Sequence, residues 1–246
     1  METGSAGIHL AAIRRASLDP SRSTHTTPPL AHIRRGFAAS TTSASSEASS
    51  PPSNPVSSIP PRKHFTDAMR AARAANDIPG VMKHFGELCE HYPDSQGPGA
   101  FEILLSIAAH EGNPEAAMET LEAMLAVGYP PTHHTHRKII IAHNRGGQLT
   151  QAWEWLQMLA QSEGDEYLAH AEGNTGATLF NAVLTGASKK ADVRVFHECW
   201  TAMKHARVDP DEGTLEAFML MESKIGDSEG VEGVWERGEE FGYLHP

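Results

Sequence analysis

The chain overlays on itself at a spacing longer than any single secondary-structure element and shorter than a domain. An offset of 79 residues puts Phe180 over Phe101, Asn181 over Glu102, Met203 over Met124, Pro210 over Pro131 and Asp211 over Thr132. An offset of 35 matches Gly147 to Gly112 and Ala152 to Ala117, and one of 114 matches Gly226 to Gly112 and Gly242 to Gly128. A single insertion of about nine residues, placed within residues 162–177, brings all three offsets onto one period of 35. A unit of that length accommodates two helices, and neither can bury its apolar stripe without a neighbouring unit. The expected fold is therefore all-α, a right-handed α-solenoid of four to five helix-turn-helix units.

Residues 110–132, HEGNPEAAMETLEAMLAVGYPPT, contain the local signals for the second half of one unit. Gly112-Asn113 lets the chain leave a helix. Pro114 suits the first turn of the next, where its missing N–H has no intrahelical partner to lose. Ala116, Ala117, Thr120, Leu121 and Met124 recur at helical spacing and predict the inward stripe. Gly128 ends the helix, and Pro130-Pro131 stop it resuming.

Residues 1–62 are rich in Ser, Thr, Ala and Pro and poor in large apolar side chains, so they cannot fill a core. Arg14, Arg15, Arg22, Arg34 and Arg35 face only Glu2 and Asp19 in the first 40 residues, with no apolar run of the secretory kind. That composition predicts a mitochondrial transit peptide over residues 1–37 rather than a secretory signal or a plain basic tail. Arg35-Gly36-Phe37 matches a matrix-processing pattern, with arginine three residues before the cut. Residues 38–62 then form a disordered Ser/Pro-rich linker, and residues 63–246 the helical repeat domain, located in the mitochondrial matrix. No run approaches the ~18 apolar residues a membrane span needs. Cys89 and Cys199 are too few and too far apart for a disulfide framework, and both are expected to be small buried hydrophobes.

From Lys63 onward the chain holds 14 Lys and Arg against 28 Asp and Glu, a net of −14. That balance runs against binding nucleic acid mainly through phosphate neutralisation.

The units AFEILLSIAAHEGNPEAAMETLEAMLAVGYPPT and TLFNAVLTGASKKADVRVFHECWTAMKHARVDPD resemble pentatricopeptide repeats. Each begins with an aromatic followed by a polar residue, breaks after about ten residues, and carries a Met shortly before a closing proline step. The units run at about 63–97, 98–132, 133–167, 177–211 and 212–246. The tetratricopeptide repeat, of period about 34, would imply peptide binding, but its Trp-x-x-Leu-Gly-x-x-Tyr signature is missing.

The resemblance implies that the fifth and last residues of a unit read one base of single-stranded RNA. Carried over, the fourth unit supplies Asn181 and Asp211, the pair the family uses for uracil. The second supplies Glu102 and Thr132, where a carboxylate would meet the backbone of RNA unfavourably. The third supplies Arg137, and the fifth Glu216 with Pro246. Lys138, Arg145, Lys189 and Lys190 complete the expected RNA-binding set, although scattered charge is more often a solvated face. Two functions follow as expectations: an organellar RNA-binding factor in RNA processing, stability or translation, or a protein–protein scaffold within a mitochondrial complex such as a ribosome-associated subunit or assembly factor.

His133, His134, His136 and His143 form the densest group of metal-ligand types, but no Cys or carboxylate joins them at ligand spacing, and a surface cluster is expected. Trp153, Trp155, Trp200 and Trp235 are read as helix packing rather than base-stacking platforms. No nucleophile elbow or phosphate-binding glycine loop is present. We therefore expect no enzymatic activity, cofactor, small-molecule substrate or metal. Leu220, Met221 and Trp235 in the last unit are expected to be exposed and to favour docking or dimerisation.

Overall fold

The computed structural model describes residues 59–93, 96–164, 167–168 and 175–226. The transit peptide, the linker up to residue 58, Trp235, Gly242 and Pro246 lie outside the described residues. Within them the chain is entirely helical: α1 (Arg62–Ala74), α2 (Ile78–His91), α3 (Pro98–Glu111), α4 (Pro114–Ala126), α5 (His133–Arg145), α6 (Leu149–Glu163), α7 (Thr175–Lys190), α8 (Val193–His205) and α9 (Glu212–Ile225). None of these is long and apolar enough to cross a membrane.

Start and stop signals recur along the chain. Asp77, Asn113 and Asp192 each accept a backbone N–H from three residues on, at 2.9, 2.9 and 3.0 Å, and so cap α2, α4 and α8. Thr132 and Asp211 cap α5 and α9 through reciprocal capping boxes with Thr135 and Thr214. Asn76, Gly112, Gly147 and Ala191, which follow α1, α3, α5 and α7, all have positive φ. Gly128 and Arg207, which follow α4 and α8, do as well. A helix commonly ends on such a left-handed residue because it lets the last carbonyls find donors.

The described chain forms two compact units. In the first, residues 59–107 and 118–130, Phe65 and Met69 of α1 are buried with Val81, Phe85 and Leu88 of α2. Phe85 meets Phe101 edge-on at 6.0 Å between ring centres, and Phe101 lies 6.1 Å from Tyr129. The Tyr92 hydroxyl donates to the Pro60 carbonyl at 3.0 Å and ties down the entry to α1. Each of these buried aromatic and aliphatic side chains contributes about 1.5–3 kcal/mol relative to exposure.

In the second unit, residues 108–117 and 131–226, α5 packs on α6 and α7, α7 on α6, α8 and α9, and α6 on α8. Helices that open a hairpin thus lie against one another, α5 to α7 to α9, and those that close a hairpin do likewise, α6 to α8. Small residues set the approach. A Cβ on Gly186 of α7 would sit 2.5 Å from the side chain of Asn144 on α5, whose Nδ2 donates to the Ala182 carbonyl at 2.7 Å. Gly112 and Gly146 meet as closely, since a Cβ on Gly146 would fall 2.7 Å from the Gly112 carbonyl. The buried Ser188 hydroxyl lies 2.8 Å from the Leu184 carbonyl and 2.7 Å from that of Ala217, fastening α7 to α9.

The predicted stripe of α4 is buried at all five positions. Trp153 and Trp155 are buried as helix packing, whereas Trp200 is half-buried against Phe218. Cys199 is fully buried, and Cys89 half-buried, its thiol pushed up to about 11 mainly by desolvation. Two expectations are overturned. Met221 is buried at 2% exposure, because it falls on the side of α9 that faces α7, and Leu220 is half-buried. His136 is also buried at 2%, with its ring near Trp155 and Tyr167, so the histidines are not a surface cluster.

Candidate nucleic-acid interface

Asn181 lies in α7, one residue after the buried Phe180 that anchors its turn. Asp211 lies just ahead of α9 as its N-cap. Packing of α7 on α9 brings the two together: the Asn181 Nδ2 donates to Asp211 Oδ1 at 2.6 Å. The same oxygen accepts the Thr214 backbone N–H at 3.0 Å, and the Thr214 hydroxyl lies 2.7 Å from Asn181 Oδ1. Both ends of the amide are thereby fixed, which sets its plane and its orientation.

A carboxamide has two N–H donors and two acceptor lone pairs. These bonds use one of each. One donor and one acceptor remain side by side on a half-buried, immobilised group, the complement of a base edge that offers an acceptor beside a donor. Gly213 keeps that flank open, since a Cβ there would lie 3.0 Å from Asn181 Nδ2. Neither Thr214 nor Gly213 was picked out from the sequence. The Asp-x-x-Thr cap pattern is the signal that could have found Thr214.

The other expected residues are differently placed. Glu102 and Thr132 fall in separate compact units. Thr132 caps α5, accepting the Thr135 N–H at 3.3 Å. Arg137 and Lys138 are half-buried on α5. Arg145, at the end of α5, donates to the carbonyls of Ala109 and His110 at 3.5 and 3.1 Å, so its guanidinium neutralises the C-terminus of α3. Lys190 donates likewise to the Gly147 carbonyl. Lys189 and Lys224 are exposed in the last turns of α7 and α9. Glu216 is exposed on α9.

The histidines have structural partners. His133 stacks on Tyr167 with ring centres 4.0 Å apart, and its Nε2 donates to the Tyr167 carbonyl at 2.8 Å. Tyr167 has its hydroxyl raised to about 12 by burial and then by the charge of Glu163. His143 donates from Nδ1 to the Gln148 side-chain oxygen at 2.9 Å, and burial lowers its pKa below the ordinary histidine value. Among the described residues no group of three or more His, Cys, Asp or Glu is arranged to hold a metal ion.

No protein-family model matches the chain, and no curated protein matches it at significant similarity.

Proposed function

We propose that the chain is a pentatricopeptide-repeat protein that binds a short segment of single-stranded RNA, acting in mitochondrial RNA processing, stability or translation. In this reading residues 1–37 are a presequence, and the hairpins stack into a right-handed α-solenoid with the first helix of each unit lining one surface. The observation that carries it is the 2.6 Å bond between Asn181 and Asp211, which ties two residues singled out by repeat register alone. The amide held there has the hydrogen-bonding capacity to read uracil. Cations at the ends of α5, α7 and α9, namely Arg145, Lys189, Lys190 and Lys224, are available near a phosphate path.

A scaffold reading has its own support. The chain from Lys63 onward is strongly acidic, and Arg145 and Lys190 are engaged with backbone carbonyls. Recognition by this chain alone is accordingly short, centred on one legible pair, with a protein partner in the same complex.

Fluorescence anisotropy with a uridine-rich oligonucleotide decides between them. RNA binding through a few phosphates should weaken on the order of tenfold over a fourfold rise in salt. Asn181→Ala should lower uridine affinity by about tenfold, the loss of one bidentate contact. Absence of binding at low salt removes the RNA reading and leaves the scaffold.

A further inference from the structure

We propose that the trough between α6 and α8 docks an amphipathic, acidic helix of a partner protein. It lies on the second helices of two hairpins, away from the α7 position of Asn181, and stands whether or not the chain binds RNA. The trough is lined by Trp153 and Gln157 from α6 and by His197, Thr201, Ala202 and His205 from α8. Beside it, sharing Trp153 and Ala202, a more enclosed notch is walled by Leu156, Leu168, Phe180 and Ala206. The notch is aliphatic and aromatic, and it suits a single Leu, Met or Phe anchor.

Three observations select the occupant. First, the trough is held open by a fixed wall: the Trp153 Nε1 donates to Glu198 Oε2 at 3.1 Å, and Arg194 pairs with the other oxygen at 2.9 Å. The one carboxylate in the lining is thus already neutralised. Second, α8 and its cap differ in charge from the other described second helices. Residues 193–207 hold Arg194, Lys204 and Arg207 against Glu198, with His197 and His205 added. By contrast α4 carries Glu115, Glu119 and Glu122, and α6 carries Glu154 and Glu163, neither with any Lys or Arg, while α2 sets Lys83 against Glu87 and Glu90. On an acidic chain this basic wall is complementary to acidic side chains flanking an apolar stripe. Third, Leu168, only 1% exposed, comes from the insertion that breaks the repeat period, so the notch is built where the chain departs from its own pattern. The aliphatic notch and the carboxylates of Glu154 and Glu198 disfavour a nucleic acid.

A phage-displayed library of helical peptides with randomised faces, selected on the full chain, provides the probe. Binders should carry one aliphatic or aromatic anchor flanked by Asp or Glu. Ala202→Trp, which fills the trough, should weaken them roughly tenfold or more, as loss of a hot-spot pocket does. Lys204→Glu with His205→Glu, changed only at exposed positions, should weaken the same peptides while leaving the helical circular dichroism intact. Binding of a uridine oligonucleotide should be unchanged by Ala202→Trp. The proposal is overturned if no helical peptide is enriched, if the binders are basic, if they keep their affinity for both variants, or if Ala202→Trp abolishes oligonucleotide binding instead.

Discussion

The side-chain amide of Asn181 donates to the carboxylate of Asp211 across 2.6 Å, joining α7 to the cap of α9. One carboxylate oxygen therefore does two jobs, since it also accepts the first-turn N–H of Thr214. A residue placed for helix capping is the residue that aims the candidate base-reading amide.

Replacing Asp211 separates those jobs. Asp211→Ala removes the cap and strands the Thr214 N–H, and should cost about 1–2 kcal/mol. Asp211→Asn keeps a capping oxygen and should cost less than about 0.5 kcal/mol, since Asn and Asp cap about equally well. Urea denaturation of both variants checks the order.

Ala191 and Arg207 hold φ of 53° and 55° without being glycine, as does Asn76 at 56°. A Cβ in this region costs roughly 1–2 kcal/mol, partly offset by the greater freedom of unfolded glycine. Ala191→Gly and Arg207→Gly should each stabilise the chain by about 0.5–1 kcal/mol. Asn76→Gly should be close to neutral, because asparagine tolerates the conformation. Thermal melts of the three variants give the comparison.

Gly186 and Asn144 should show a reversal of sign. Gly186→Ala alone pushes a Cβ into the Asn144 side chain and should destabilise by about 1–3 kcal/mol. In an Asn144→Ala background the space is free, and the same change should stabilise by up to about 1 kcal/mol through helix propensity. A double-mutant cycle in urea reads the coupling directly.

His143 adds a pH dependence. Burial lowers its pKa in the folded state, against smaller opposing effects of Gln148 and Glu115. The unfolded chain therefore binds this proton more readily, so the stability held in the neutral ring is complete above the ordinary histidine pKa of 6.5 and is lost as pH falls below it. Against wild type, His143→Gln should lose less stability between neutral pH and pH ~5, with parallel curves above. Denaturation midpoints across that range measure the difference.

Hairpin breaks were legible in the sequence because Gly112, Asn113, Pro114 and Gly128 each have one local reason to stand where they do. The buried stripe of α4 was legible for the same reason, since helical period alone specifies the side facing a hairpin partner. Met221 was misread because period does not say which second side of a helix a neighbouring hairpin covers, and α7 covers that of α9. His136 was misread by residue type: a polar ring near the start of a helix is buried here because Trp155 and Tyr167 close over it. Register paired Asn181 with Asp211 correctly, yet Thr214 escaped notice, because a cap was considered only as a helix boundary. The destinations of Arg145 and Lys190 depend on contacts 35 and 43 residues away and had no local signature.

Photo-crosslinking of a thiouridine-substituted oligonucleotide to the full chain, with the modified peptides identified by mass spectrometry, bears on RNA binding at Asn181 without assuming any affinity. Crosslinks should concentrate on peptides from α7 and from the start of α9, around Asn181 and Asp211, and should fall sharply in Asn181→Ala. An absence of crosslinks at low salt, or crosslinks confined to α6 and α8, would contradict it.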